Sequence, residues 1–343
     1  MKELIVPKKL KEGDTVCFIS LSGGRAGDDD MIFRYELAKE RFEREFKVKV
    51  VEAPHALCGS MYLYQNPEVR WFDLKWALEN PEIKGIICNM GGDDSYRVIK
   101  YVQPDVLYNV IHDNPKVFMG YSDIASWINV FTYCGVRSYY GPNVLTPIGQ
   151  IGELDSYTKE AIRKTLFSDR VIGNINPAEK TTPIEWNSSL TKDDIVWTKN
   201  DGYKVLQGEG KVRGKIMTMI PGPANQMLAS RYSFKDSFYD NTILFIEHCN
   251  SYDSPLSGLH NLRALAVTGA FDYCKAIVTG KLDEASRKTL LKVINEEINR
   301  KDLILLENVD FVHHTPMTVL PIGAECEIDT EKKTLAILES GVL

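Results

Sequence analysis

Nothing in this sequence is long and apolar enough to cross a bilayer: its hydrophobic runs are strand-sized, well short of the roughly 20 residues a spanning helix needs. The opening Met1-Lys2-Glu3-Leu4-Ile5-Val6-Pro7 lacks the apolar core of a secretory signal, so a cytoplasmic protein with no membrane partner is expected. A basic excess is missing too, and a net charge of −6 gives no electrostatic reason to expect nucleic acid as a partner. The seven cysteines, Cys17, Cys58, Cys88, Cys134, Cys249, Cys274 and Cys326, are odd in number and scattered, with no C-x-x-C pair. They read as buried free thiols, not as a zinc site or a thioredoxin-like motif. Glu247, His248 and His313-His314 are residue types that can ligate a metal, but no H-E-x-x-H or comparable spacing is present; no metal and no cofactor are expected.

At 343 residues and 44% hydrophobic, the chain is long enough for two domains. Its first half alternates strand and helix signals. Thr15-Val16-Cys17-Phe18-Ile19 runs into Ser20-Leu21-Ser22-Gly23-Gly24, a charged amphipathic helix spans about Met31 to Phe46, and Val48-Val50-Val51 resumes a strand. Asn66 precedes a helix that starts on Pro67 and carries Val69, Phe72 and Trp76 on one face. Gly85 to Met90 is the next strand, broken by Gly91-Gly92-Asp93-Asp94-Ser95. Apolar strands alternating with helices imply a parallel sheet covered on both faces, with ligands held by the loops at the carboxyl ends of the strands.

One of those loops is Gly120-Tyr121-Ser122-Asp123, between the strand Val117-Phe118-Met119 and a helix read from Ile124, Trp127, Ile128 and Phe131 and ended by Gly135. Ser122 therefore stands at a strand-to-helix corner beside the free N–H groups of a helix start, where it can serve as a nucleophile or simply cap the helix. The second glycine of Gly-x-Ser-x-Gly is absent; Ile124 stands there. Gly91-Gly92 can be a tight turn, or a stretch of bare backbone whose N–H, with that of Asp123, stabilises an oxyanion.

A serine nucleophile needs a base, and the base an orienting partner. His55, His112, His248, His260, His313 and His314 are the available histidines. His112 is read in a polar surface loop and His260 inside a helix, whereas His313-His314 lies in a loop between the apolar stretches Leu303–Leu306 and Val319–Ile322. Among carboxylates, Glu247 ends the very apolar Thr242-Ile243-Leu244-Phe245-Ile246, where a charge is costly unless paired. Residues 168 to 205 are polar and rich in Pro, Asn and Thr, and read as a crossing that is no part of a core; beyond it Lys211–Met219 alternates, 256–271 and 283–300 look helical, and the last 40 residues look extended.

Gly-Gly-Asp-Asp-Ser at 91–95, Gly-Tyr-Ser-Asp at 120–123, Tyr140-Gly141-Pro142, Leu244–Glu247 and Phe311-Val312-His313-His314-Thr315-Pro316 with Leu320-Pro321-Ile322-Gly323 occur in one order. Together they resemble the LD-carboxypeptidase family of serine peptidases, and within it the MccF branch of microcin C immunity proteins, over nearly the whole chain. The resemblance implies a Ser-His-Glu triad of Ser122, His313 and Glu247, an oxyanion hole from the backbone of Gly92 and Asp123, and a homodimer. It further implies a flavodoxin-like N-terminal α/β domain (1–168) with the nucleophile, a linker (169–205), and a C-terminal α+β domain (206–343) with the Glu and the His. Gly91 and Asp93 would touch substrate, and Trp186 or Trp197 would stack on a base, with Trp186 preferred. Val312 replaces the family's usual Gly, Met217–Asn225 replaces its Gly-Gly-Asn segment, and His248-Cys249-Asn250-Ser251 stands where the immunity proteins carry a substrate-binding Lys. The expected substrate is a small peptide-like molecule. It is a peptidyl or aminoacyl nucleotide if the chain is MccF-like, or a murein tetrapeptide losing its terminal D-Ala; a non-catalytic ligand-binding protein is the reading from another class.

Overall fold

The apolar runs of the first half pair side by side because each needs cover on both faces. In the computed structural model, which describes residues 3–186, 191–247 and 255–343, they are β1 (Thr15–Ile19), β2 (Lys49–Glu52), β3 (Ile83–Cys88), β4 (Val117–Gly120) and β5 (Tyr139–Tyr140). All neighbouring pairs among them are parallel, in the spatial order 2-1-3-4-5. That is the flavodoxin-like order, whose crevice opens between the loops that follow β1 and β3. Helices Ile32–Phe46, Pro67–Glu79, Pro104–Asp113 and Ala125–Tyr133 cover the sheet.

Two local readings need correction. The helix starting at Pro67 buries Trp71, Leu74, Ala77 and Leu78 and packs Trp76 against the core, while Phe72, expected on the same face, is 54% exposed because the apolar residues are too dense for one stripe to be read. His112 is the last turn of a helix, with its ring stacked on Tyr108 and Nε2 hydrogen-bonded to the Cys134 carbonyl at the site where Gly135 turns the chain. Among the described cysteines Cys58 alone is exposed; Cys249 lies outside the described residues.

The second half is a mixed sheet. Its strands and those of the preceding segment are β6 (Gly173–Ile175), β7 (Lys180–Pro183), β8 (Thr198–Lys199), β9 (Lys204–Gln207), β10 (Lys211–Met219), β11 (Thr242–Ile246), β12 (Ala276–Thr279) and β13 (Ile304–Glu307). After them come β14 (His314–Thr315), β15 (Leu320–Pro321), β16 (Glu325–Asp329) and β17 (Thr334–Ile337). Parallel β10, β11, β12 and β13 form the centre, with β9 antiparallel on one side and β16, β17 and β6 on the other. Segment 169–205 thus supplies strands, and Ile175 and Tyr203 are buried in the core, where a bare crossing was expected.

The halves share one apolar core. Helix Ala125–Tyr133 is buried along nearly its whole length, and Ile124, Trp127 and Ile128 belong to the same cluster as Ile216, Phe245 and Phe311 of the second half. A helix packed all round has no free face. The chain then returns: β15 pairs antiparallel with β5, extending the first sheet. These two links hold the loop after β4 against the ends of β11 and β14. None of the described helices is long and apolar enough to cross a membrane.

Candidate active site

Ser122 begins a short 3-10 turn between β4 and the helix Ala125–Tyr133, with φ at +64°. A side chain in that left-handed region costs on the order of 1 kcal/mol and persists only where the surroundings enforce it. The loop after β3 comes close against this residue. A methyl group added to Gly91 would stand 2.6 Å from Ser122 Cβ and 2.8 Å from its Oγ, and one on Gly92, at φ +151°, would stand 2.4 Å from Ser22 Oγ. No side chain fits at either position. The bare backbone of Gly91 therefore lies directly against Ser122 and the N–H of Asp123, and that of Gly92 against Ser22 and Gly23 of the loop after β1.

The Asp123 side chain does not face the cleft. Its Oδ2 accepts the Ser22 hydroxyl (2.6 Å) and the Ser95 N–H (2.8 Å), while its own carbonyl accepts the Ser95 hydroxyl (3.1 Å). The loops after β1, β3 and β4 are tied at this one carboxylate, which burial raises above its usual range against the pull of those donors.

Ser122 Oγ lies 3.0 Å from His313 Nε2, and His313 Nδ1–H donates to Glu247 Oε1, which also accepts the His313 backbone N–H at 2.8 Å. Glu247 directly follows β11 and is 1% exposed, so its charge has to be compensated. Burial would push its carboxyl up, but the His313 charge and hydrogen bonds from His313 and Tyr140 hold it below the ordinary carboxylate range. His313 is in turn opposed by burial and held above 6.5 by Glu247. The loop carrying it is pinned two residues before Val312: Asp310 accepts from the Ala178 N–H (2.8 Å) and the Asn200 amide (3.1 Å), and its burial moves it up to about 6. His314, in β14, pairs with Pro183 of β7. His248 lies outside the described residues.

The row stands in a cleft of 700 Å³ lined also by Gly91, Gly92, Asp93 and Trp186 from one side and by Ile220, Pro221 and Gln226 from the other. The Gln226 amide donates to the Asp93 carbonyl across it at 3.4 Å. Trp186 is positioned by the fully buried Arg34, whose guanidinium donates to the Glu185 carbonyl at 2.7 Å. Trp197 lies elsewhere, under Lys180 at 4.6 Å from the ring centre and outside this cleft. Sequence reading missed the parts of Tyr140, Ser22 and Ser95. Tyr140 was seen as part of a motif without a role; the hydroxyls of Ser22 and Ser95 carried only the weak signal of lying in the two glycine-rich loops.

A hydroxyl, an imidazole and a carboxylate hydrogen-bonded in series at a strand-to-helix corner define a serine-type hydrolase site. Residues 16–141 match the LD-carboxypeptidase N-terminal domain, and residues 209–328 match the LD-carboxypeptidase C-terminal domain. The chain belongs to the LD-carboxypeptidase family of serine peptidases. It is 27% identical to the microcin C7 self-immunity protein MccF of Escherichia coli over 96% of this chain and 94% of that one. To YocD of Bacillus subtilis, provisionally named a carboxypeptidase, it is 29% identical over 96% and 97% of the two chains. The solved structure of an MccF-like protein from Streptococcus pneumoniae in complex with AMP superposes with a TM-score of 0.82 at 26% identity, covering 95% of this chain and 98% of the other.

Proposed function

We propose that the protein is an MccF-like amidase that cleaves the aminoacyl or peptidyl group from a nucleotide-type antibiotic, with Ser122, His313 and Glu247 as its triad. The observation that carries this reading is the 3.0 Å contact of His313 Nε2 with Ser122 Oγ in the same cleft as Trp186. That the pneumococcal relative was solved in complex with AMP supports a nucleotide-type ligand. Ser122 Oγ attacks the acyl carbonyl as His313 Nε2 takes its proton, and the N–H groups of Gly92 and Asp123 stabilise the oxyanion. His313 returns the proton to the leaving nitrogen. Water, deprotonated by the same Nε2, then hydrolyses the acyl-enzyme and frees Ser122. Glu247 fixes the ring and balances its charge. Gly91 and Asp93 line the acyl side, and Trp186 stacks on the base. The reading includes a cytoplasmic homodimer.

The test is a parallel assay on an aminoacyl sulfamoyl adenosine and on a murein tetrapeptide. Release of the amino acid from the first, with the tetrapeptide untouched, is the expected result. Release of D-Ala from the tetrapeptide alone would replace this reading with cell-wall peptide trimming, which the family name equally accommodates.

The pair of shifts at the site sets a pH dependence. Only neutral His313 can take the serine proton, and Glu247 holds it above 6.5, so the rate should rise with pH through a midpoint above 6.5. Glu247→Gln removes the charge that raises His313 and leaves burial, which lowers it. The midpoint should then fall, while kcat drops on the order of 10⁴-fold. A midpoint unmoved by the substitution, read from the pH profile of kcat/KM, would contradict the role given to Glu247.

A further inference from the structure

The backbone of Ser122 is held in a conformation its side chain disfavours, and the N–H of that residue donates to the Tyr140 hydroxyl at 3.2 Å. The hydroxyl proton of Tyr140 goes in turn to Glu247 Oε2, the carboxylate oxygen that His313 does not use. An oxygen that accepts from an amide and faces a carboxylate has only one direction in which to donate. The hydrogen bonds therefore close on themselves, from the Ser122 N–H through Tyr140, Glu247 and His313 back to Ser122 Oγ.

We propose that Tyr140 is a positioning residue that sets both the strained backbone of the nucleophile and the strength of the Glu247–His313 pair. This rests on the triad reading above. Tyr140 reaches the site from β5, the strand that β15 covers on the chain's return, so its place is fixed by packing against Phe311 (ring centres 6.1 Å apart) and Tyr121 (6.4 Å). Tyr121 also meets the His313 ring edge-on at 5.1 Å. A hydroxyl donating to one carboxylate oxygen withdraws charge from the other. Tyr140 thus restrains how strongly Glu247 pulls on the His313 proton, and so keeps the imidazole able to give that proton up. The Tyr140 hydroxyl acts on Glu247, and Glu247 and His313 both act on the neighbouring His314, which also feels the charge of Lys281.

The experiment is an NMR titration of the His313 ring in the resting protein, which needs no substrate. In Tyr140→Phe the ring packing stays while the hydroxyl is lost, and the His313 pKa is expected to rise by about half a unit to one unit. Incorporating 3-fluorotyrosine at position 140 makes a stronger donor on an unchanged frame, and should move it the other way. On an aminoacyl sulfamoyl adenosine, Tyr140→Phe should lower kcat about 10- to 100-fold with KM changed less than about threefold, and shift the acid limb of the pH profile upward. An unmoved His313 pKa in both variants overturns the inference, whatever the enzyme's substrate. Undiminished turnover by Ser122→Ala would overturn the triad reading instead, and the titration would still stand as measured.

Discussion

Ser122→Ala is expected to lose hydrolysis on the order of 10⁴- to 10⁶-fold while keeping the fold. The loss is large because the hydroxyl is the group that would bond the acyl carbon, and no other described hydroxyl stands within reach of His313 Nε2. The fold survives because the side chain makes no contribution to the core: Ser122 is half-buried in the cleft, and its neighbours Tyr121 and Asp123 carry the packing and the loop tie. Alanine has to adopt the same left-handed φ of +64°, so stability should change by less than about 1 kcal/mol. Ser122→Gly removes both the hydroxyl and the strain, and should be equally inactive but no less stable than the alanine variant. Turnover with purified variants and thermal melts decide the matter. Alanine variant activity near that of the parent would remove Ser122 from the mechanism.

What was legible in the sequence follows from how local each signal is. The corner at Ser122 is written in a dozen consecutive residues, an apolar strand, a glycine and a helical spacing, and the fold reproduces each in place. Glu247 stood out because a carboxylate directly after four consecutive apolar residues has few explanations that do not involve a partner. The parallel sheet was equally plain, since residues 16–19 of β1, 85–88 of β3 and 117–119 of β4 are apolar runs separated by helical spacings. The strand order, by contrast, could come only through the family resemblance.

Long-range contacts between ordinary-looking residues stayed hidden. Tyr140 reads as a core aromatic in a short strand, and its hydrogen-bond partners are 18 and 107 positions away. Segment 169–205 hid its strands for a related reason. β6, β7 and β8 are two to four residues long, too short for an alternation to show, and they form because β17 and β14 offer edges to pair with. The tie at Asp123 also stayed hidden: the sequence pointed to that residue for its backbone N–H, and nothing local shows that its carboxylate is buried beneath the loops and holds them together.

The histidine doublet gives the second large effect, and the structure separates its two members. His313→Ala should cost on the order of 10⁴- to 10⁶-fold in kcat, because its Nε2 faces Ser122 Oγ and its Nδ1 faces Glu247 at once. It should also leave Glu247 buried without its main partner, so some loss of stability should accompany the loss of rate. His314 starts β14, where neighbouring side chains point to opposite faces, and its pairing with Pro183 commits it to the strand. Burial lowers its pKa below the ordinary value, and Glu247 pulls the other way too weakly to reverse this, so His314 is neutral at pH 7 and supplies no balancing charge. His314→Ala should therefore act through the packing of the loop, with kcat within about tenfold of the parent and stability lower by about 1 kcal/mol. Steady-state kinetics on both variants, with a melt for each, separates the roles. A dead His314→Ala beside an active His313→Ala would mean that the base had been placed one residue out of register, and Glu247 would then need a different partner from the one it holds in this fold.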